Sequence, residues 1–113
     1  MVNEDYIPER GDIVWLNFTP QSGHEQAGKR AAIVITPGSY NKITSLALFC
    51  PITSQIKGYP FEVKLPANFP VKGVIISDQI KSLDWRTRKI EFIAKAPKNI
   101  LKEVLSKLSL LIN

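Results

Sequence analysis

Residues 12–36 read DIVWLNFTPQSGHEQAGKRAAIVIT, and the fold follows from this stretch. Residues 12–18 are rich in β-branched and aromatic side chains, with Gly11 before them and Thr19-Pro20 after them. That pattern predicts a strand. Residues 32–36, AIVIT, form a continuous apolar run stopped by Pro37-Gly38, the pattern of a central strand. Between the two lies TPQSGHEQAGKR, 12 residues that include the only His. Connections of that length are uncommon in a small β domain and are frequent places for function. The other reading of the segment is a solvated surface loop.

Outward from this centre the pattern repeats. Residues 46–50 (LALFC) are apolar and end at Pro51. Residues 61–65 alternate as FEVKL between Pro60 and Pro66, a half-buried strand. Residues 73–76 and 89–95 (KIEFIAK) are further candidates, so five or six strands are expected. After Pro97 the period changes. Ile100, Leu101, Val104, Leu105, Leu108 and Leu111 fall on one face of a helix, while Lys102 and Lys107 lie off it. Short strands followed by one terminal helix predict a mainly β fold. We expect a small, partly open barrel whose helix closes one side or end, or joins a dimer seam. One domain spans residues 1–113.

Composition narrows the function. The chain has 113 residues, 44% hydrophobic and 22% charged, with a net charge of +5. This excludes a disordered tail. One Cys and one His provide neither an internal disulfide nor the usual shell of a structural zinc. The longest uncharged stretch, residues 43–56, contains Thr, Ser, Pro and Gln and does not read as a bilayer span. The polar start, MVNEDYIPERGD, does not read as a signal peptide, so the expected location is the cytoplasm. Basic residues recur from Lys29 to Lys107 with Tyr40, Phe49, Tyr59, Phe61, Trp85 and Phe92 between them. Cations hold phosphates and aromatics stack unpaired bases, so the mixture suits single-stranded nucleic acid. It also suits an ordinary soluble surface over core aromatics. Trp15, Trp85 and Cys50 are expected in packing, and Gly11-Asp12 in a turn.

Two further polar patches stand where strands end. Thr53-Ser54-Gln55 precedes Lys57-Gly58-Tyr59-Pro60, and Ser77-Asp78-Gln79 follows an apolar run. Each reads as turn or capping chemistry, or as groups offered to a ligand.

The blocks GDIVWLNFTP, GHEQAGKRAAIVITP, PITSQIKGYPFEV and SDQIKSLDWRTR, followed by the amphipathic helix, occur in that order. Together they resemble the MazF/PemK/Kid family, the toxins of type II toxin–antitoxin pairs, over residues 8–113. The resemblance implies an SH3-like barrel that works as a homodimer. It implies a metal-independent endoribonuclease that cuts single-stranded mRNA at short sequences and needs no cofactor. It implies a cognate antitoxin whose acidic tail covers the active site, with DNA bound only through the antitoxin complex, and no role at a membrane. CcdB-like toxins share the barrel but bind DNA gyrase, and they supply the rival expectation.

Carried over residue by residue, the family's catalytic arginine matches Arg30 and its threonine matches Thr53. Its loop glutamate matches Glu25, followed by Gln26. A loop histidine used by some PemK/Kid-like members matches His24. Those members also use an Asp, matching Asp78, and an Arg, where this chain has Ile76. That departure favours the Arg/Thr version of the site. Ala31 stands where most relatives have Pro, a change that frees one backbone φ and loosens Arg30 slightly. The catalytic candidates are thus Arg30, Thr53, Glu25 and His24. The RNA-binding candidates are Gln26, Lys29, Ser54, Gln55, Lys57, Asp78, Gln79, Lys81, Arg86 and Arg88. Arg30 has a planar fork that matches two phosphate oxygens, which suits it to charge stabilisation rather than proton removal. Glu25 or His24 is the candidate base.

Overall fold

A computed structural model describes residues 5–18 and 28–112. His24, Glu25 and Gln26 lie outside the described residues. The chain runs β1 (Asp12–Asn17), β2 (Lys29–Val34), α1 (Gly38–Thr44), β3 (Leu46–Thr53), β4 (Glu62–Lys64), β5 (Val74–Ile76), β6 (Lys81–Asp84), β7 (Glu91–Lys95) and α2 (Lys98–Ile112). Short 3-10 turns, Ser77–Gln79 and Trp85–Thr87, follow β5 and β6. The seven strands form one antiparallel sheet in the order β4-β5-β3-β2-β1-β7, with β6 paired to β3. The sheet curls without closing, as expected of a partly open barrel with a terminal helix.

The apolar runs in β2 and β3 arise because both sheet faces are buried. On one face Ile13, Ile33, Cys50, Ile52, Val63 and Ile75 meet Ile100, Val104 and Leu108 of α2. On the other, Val14, Leu16, Phe18, Ala32, Val34, Phe49, Leu83 and Trp85 form a second core. Side chains alternate between faces along a strand, so a strand between two cores has no polar position. The helix closes the first core as its period predicts, with Ile100, Val104 and Leu108 buried.

Three local departures from the sequence expectation have physical causes. β3 continues through Pro51 to Thr53. One edge of β3 pairs with β6 through residues 46–49 and with β5 through residues 52–53. Pro51 sits in the gap between these partners, where a missing N–H leaves no ladder bond unmade. β6, with sequence KSLD, is a strand because it completes the edge of β3, although only Leu83 in it is buried. α1 forms without a side-chain cap at its start. It is held through buried Asn41, whose amide donates to the carbonyls of Pro8 (2.7 Å) and Thr36 (3.0 Å) and accepts from the Thr36 hydroxyl (2.7 Å). The indole of Trp85 donates to the Asn41 carbonyl at 3.1 Å, so Trp85 packs as expected.

Candidate active site

β2 begins three residues earlier than the apolar run, at Lys29, and therefore includes Arg30. Ala31 pairs with Ile52 across the β2–β3 ladder. One step further along this antiparallel register, Arg30 lies beside Thr53, the last residue of β3. Leu16 pairs with Arg30, Thr53 with Val74, and Val74 with Lys64. One row of side chains thus crosses five strands with Arg30 and Thr53 at its centre. Directly opposed residues in such a ladder have Cβ atoms about 5 Å apart. The alternation that puts Leu16, Ala32 and Phe49 in the second core puts Arg30 and Thr53 on the same face, where that core meets water.

Arg30 and Thr53 form a ridge between two pockets. The larger, about 560 Å³, is lined by Trp15, Lys29, Arg30, Thr53, Ser54, Gln55, Pro70, Val71 and Lys72, with Ala31 and Ile52 at its base. Its charged side chains are all cations. The smaller, about 290 Å³, is lined by Arg30, Thr53, Gln55, Lys57, Tyr59, Glu62, Ile76, Asp78 and Gln79. Two open pockets that share an Arg–Thr wall can place an anionic group on the ridge and its neighbours to either side.

The backbone around Thr53 leaves it little freedom. Its hydroxyl accepts the Gln55 amide at 3.1 Å, turning the chain out of β3. Gly73, at φ +118°, packs so closely that a Cβ there would lie 2.0 Å from the Thr53 carbonyl oxygen. Glu62 accepts the amides of Lys57 (3.1 Å) and Gly58 (2.9 Å), which shapes the wall of the smaller pocket. Ala31 is buried between Trp15 and Ile52, so the ladder restrains the φ that proline would have set.

Of the sequence candidates, Lys29, Arg30, Thr53, Ser54, Gln55, Lys57, Asp78 and Gln79 line these pockets. Lys81 lines neither, but its ammonium and the Arg30 guanidinium both stand over the Phe18 ring, at 6.0 and 5.9 Å. Arg86 and Arg88 lie apart from both pockets and bind within the fold. Arg86 stacks on Trp85 at 4.3 Å and donates to the Ser45 hydroxyl at 2.7 Å. Arg88 donates to the carbonyls of Asp84 (3.0 Å), Asn17 (3.0 Å) and Phe18 (2.6 Å). A sequence cannot distinguish such an arginine from one that faces a ligand.

Trp15 departs from its expectation: it is exposed at the pocket wall, with the Lys29 ammonium 6.0 Å from its ring. Lys72 and Glu62 were not singled out by sequence, whereas Tyr59 was named there among the aromatics and in the patch with Lys57. The signal available for Glu62 was its place in the block PITSQIKGYPFEV. Cys50 is in the core as expected, its thiol pushed up to about 12 by burial and, less strongly, by the charge of Asp78. Away from the site, buried Asp12 accepts the Tyr6 hydroxyl (2.6 Å) and the Lys95 ammonium (2.7 Å).

The arrangement is that of a cleft of two pockets sharing Arg30 and Thr53 on an open antiparallel barrel, and comparison with known proteins gives it a family. Residues 9–112 match the family described as PemK-like, MazF-like toxin of type II toxin-antitoxin system, and the chain belongs to it. It is 48% identical over 83 residues to the endoribonuclease toxin MazF of Escherichia coli (strain K12), covering 74% of each chain. It is 33% identical over 105 residues to the endoribonuclease PemK of Escherichia coli, covering 89% of this chain and 79% of that one. Among solved structures, MazF from Deinococcus radiodurans superposes with a TM-score of 0.87 at 55% identity, over 96% of this chain and 98% of that one. A MazE-MazF structure from the same organism superposes with a TM-score of 0.86 at 48% identity, with the same coverage.

Proposed function

We propose that this chain, an endoribonuclease toxin by its family, cuts single-stranded RNA on the Arg30–Thr53 ridge without a metal ion. The observation that carries the proposal is the cross-strand placement of Arg30 beside Thr53 where the two pockets meet. In the proposed reaction the ribose 2′-oxygen attacks the adjacent phosphorus and the bond from phosphorus to the 5′-oxygen breaks. The products are a 2′,3′-cyclic phosphate and a 5′-OH. Charge builds on the non-bridging oxygens as five groups crowd the phosphorus. The Arg30 guanidinium supplies two donors to those oxygens, the neutralisation that a metal provides in other nucleases. The Thr53 hydroxyl holds a phosphate oxygen in register. The 2′ proton goes to Glu25 or His24, whose segment joins the described structure at Phe18 and Gly28, and the 5′-oxygen takes a proton as it leaves, from the other of that pair or from water. Phe18 and Gly28 are hydrogen-bonded, amide to carbonyl, at 2.7 Å.

The substrate-binding residues in this reading are Lys29, Ser54, Gln55, Lys57, Asp78 and Gln79, with Gln26 from the same segment as His24. An acidic, largely disordered antitoxin tail would occupy the same cleft, since cations that hold phosphates also hold carboxylates. The working form is a homodimer acting in the cytoplasm, and DNA is bound only through the toxin–antitoxin complex. Relatives named as endoribonucleases favour this reading over gyrase binding. The test is incubation of purified protein with single-stranded RNA in EDTA, end-mapping of the products and light-scattering mass measurement. Cleavage to 5′-OH ends by a dimer is expected. Activity lost in EDTA and restored by Mg²⁺ would overturn the metal-free chemistry, and a monomeric active species would overturn the dimer.

A further inference from the structure

We infer that Phe18 and Arg88 are positioning residues for the Arg30 guanidinium, acting as one unit. The inference rests on the reading of Arg30 as the charge-stabilising group.

Phe18 follows the last residue of β1 and ends the second core, with 7% of its surface exposed. The Arg30 guanidinium carbon lies 5.9 Å from the ring centroid and the Lys81 ammonium 6.0 Å from it. A cation over an aromatic face is attracted by the ring quadrupole. Here the ring holds Arg30 from its core-facing side and leaves its donors for a phosphate.

A ring can hold a cation in place only if its own backbone is held. β1 ends at Asn17; the Phe18 amide still donates to the Gly28 carbonyl at 2.7 Å, and the side chain of Arg88 takes the carbonyls on the other edge. Its Nη1 donates to the carbonyls of Asn17 (3.0 Å) and Phe18 (2.6 Å), and its Nε donates to the carbonyl of Asp84 (3.0 Å). The Arg88 carbonyl in turn accepts the Asn17 amide at 2.9 Å. One planar guanidinium thus ties the end of β1 to the end of β6. Lysine has no such fork and cannot hold three carbonyls in a fixed geometry. The second arginine of the WRTR segment therefore serves the phosphate indirectly, through Phe18 and Arg30.

The experiment replaces Phe18 by mono-, di- and trifluorophenylalanine through nonsense suppression. Fluorination drains the π-face with little change in volume, so folding is preserved. Steady-state kcat and KM on a fluorogenic single-stranded RNA are measured with Tm alongside, and the Arg30 Nε–H resonance is followed by NMR. We expect kcat to fall stepwise, to about a tenth for trifluorophenylalanine, which is about 1.4 kcal/mol. KM should change less than about twofold, and the Arg30 resonance should shift. Arg88→Lys should lower kcat by a similar factor, and Arg88→Gln by more. An unfluorinated protein that does not cut RNA would fail the functional reading itself. An active protein whose kcat and Arg30 resonance ignore fluorination, or an Arg88→Lys variant that loses Tm but keeps kcat, would overturn this inference.

Discussion

Replacing Gly73 by alanine should damage the cleft through Thr53, a residue it does not follow in sequence. Gly73 has φ +118°, a conformation that L side chains rarely adopt. Holding alanine there costs about 1–3 kcal/mol in backbone strain. The added Cβ would lie 2.0 Å from the Thr53 carbonyl oxygen, 2.7 Å from the Thr53 carbonyl carbon and 3.0 Å from the Ser54 Cα. All three contacts are backbone, so no side chain can turn away. Normal carbon–oxygen contact needs about 3.3 Å, the lower end of observed Cα–H···O contacts. One backbone must therefore retreat by about 1 Å. Overpacking of this kind costs about 1–3 kcal/mol more. The total of about 2–6 kcal/mol corresponds to a Tm lowered by about 8–24 °C, at about 4 °C per kcal/mol for a chain this long. A displacement of 1 Å at a positioned group costs on the order of 10²-fold in rate. The assay is calorimetry together with kcat on a short single-stranded RNA. Tm within about 3 °C of the parent with unchanged kcat would refute the argument that the β5 edge holds Thr53 in place.

Three further outcomes follow from the same structure. Arg30→Ala should lower kcat by about 10²–10³-fold with a much smaller effect on RNA affinity, because its bonds strengthen as charge develops; equal losses in both would make it a binding residue only. RNA affinity should fall linearly on a log–log salt plot, and Lys29→Ala should reduce the slope by about 0.7, one phosphate contact on a single strand; an unchanged slope would place the backbone away from the larger pocket. Cys50 is held neutral by burial up to about pH 12, above the ordinary thiol value of 9. Its raised folded-state value contributes stability that is complete below about pH 9 and is lost as pH rises from there toward 12. Alkylation at pH 9 should therefore be slow in the native protein and fast in denaturant, as followed by mass spectrometry, and rapid native labelling would show the thiol to be accessible.

Most of the architecture was legible in the sequence, and the omissions share a cause. The runs in β1, β2 and β3 and the helical period after Pro97 are strong because two cores demand apolar residues at every inward position. β6 escaped because KSLD buries only Leu83 and owes its form to hydrogen bonds with β3. β3 seemed to end at Pro51 because its two partners on that edge are invisible until the chain is folded. The same limit applied at the cleft. Arg30 and Thr53 were found through family blocks, whereas Lys72 lies outside every one of them and joins the cleft only in the folded chain.

By itself, the sequence determined the class of fold, the helix that closes the first core and the residue types available for phosphate chemistry, because periodicity and composition are local properties of a chain. Tertiary structure alone decided where the cations stand. Lys29, Arg30 and Lys72 share one pocket wall. Arg88, of the same residue type as Arg30, turns inward to bind the carbonyls of Asn17 and Phe18. The difference is register. Antiparallel pairing brings Arg30 beside Thr53 across 23 residues of chain. The end of the β1 ladder leaves carbonyls that a guanidinium must satisfy.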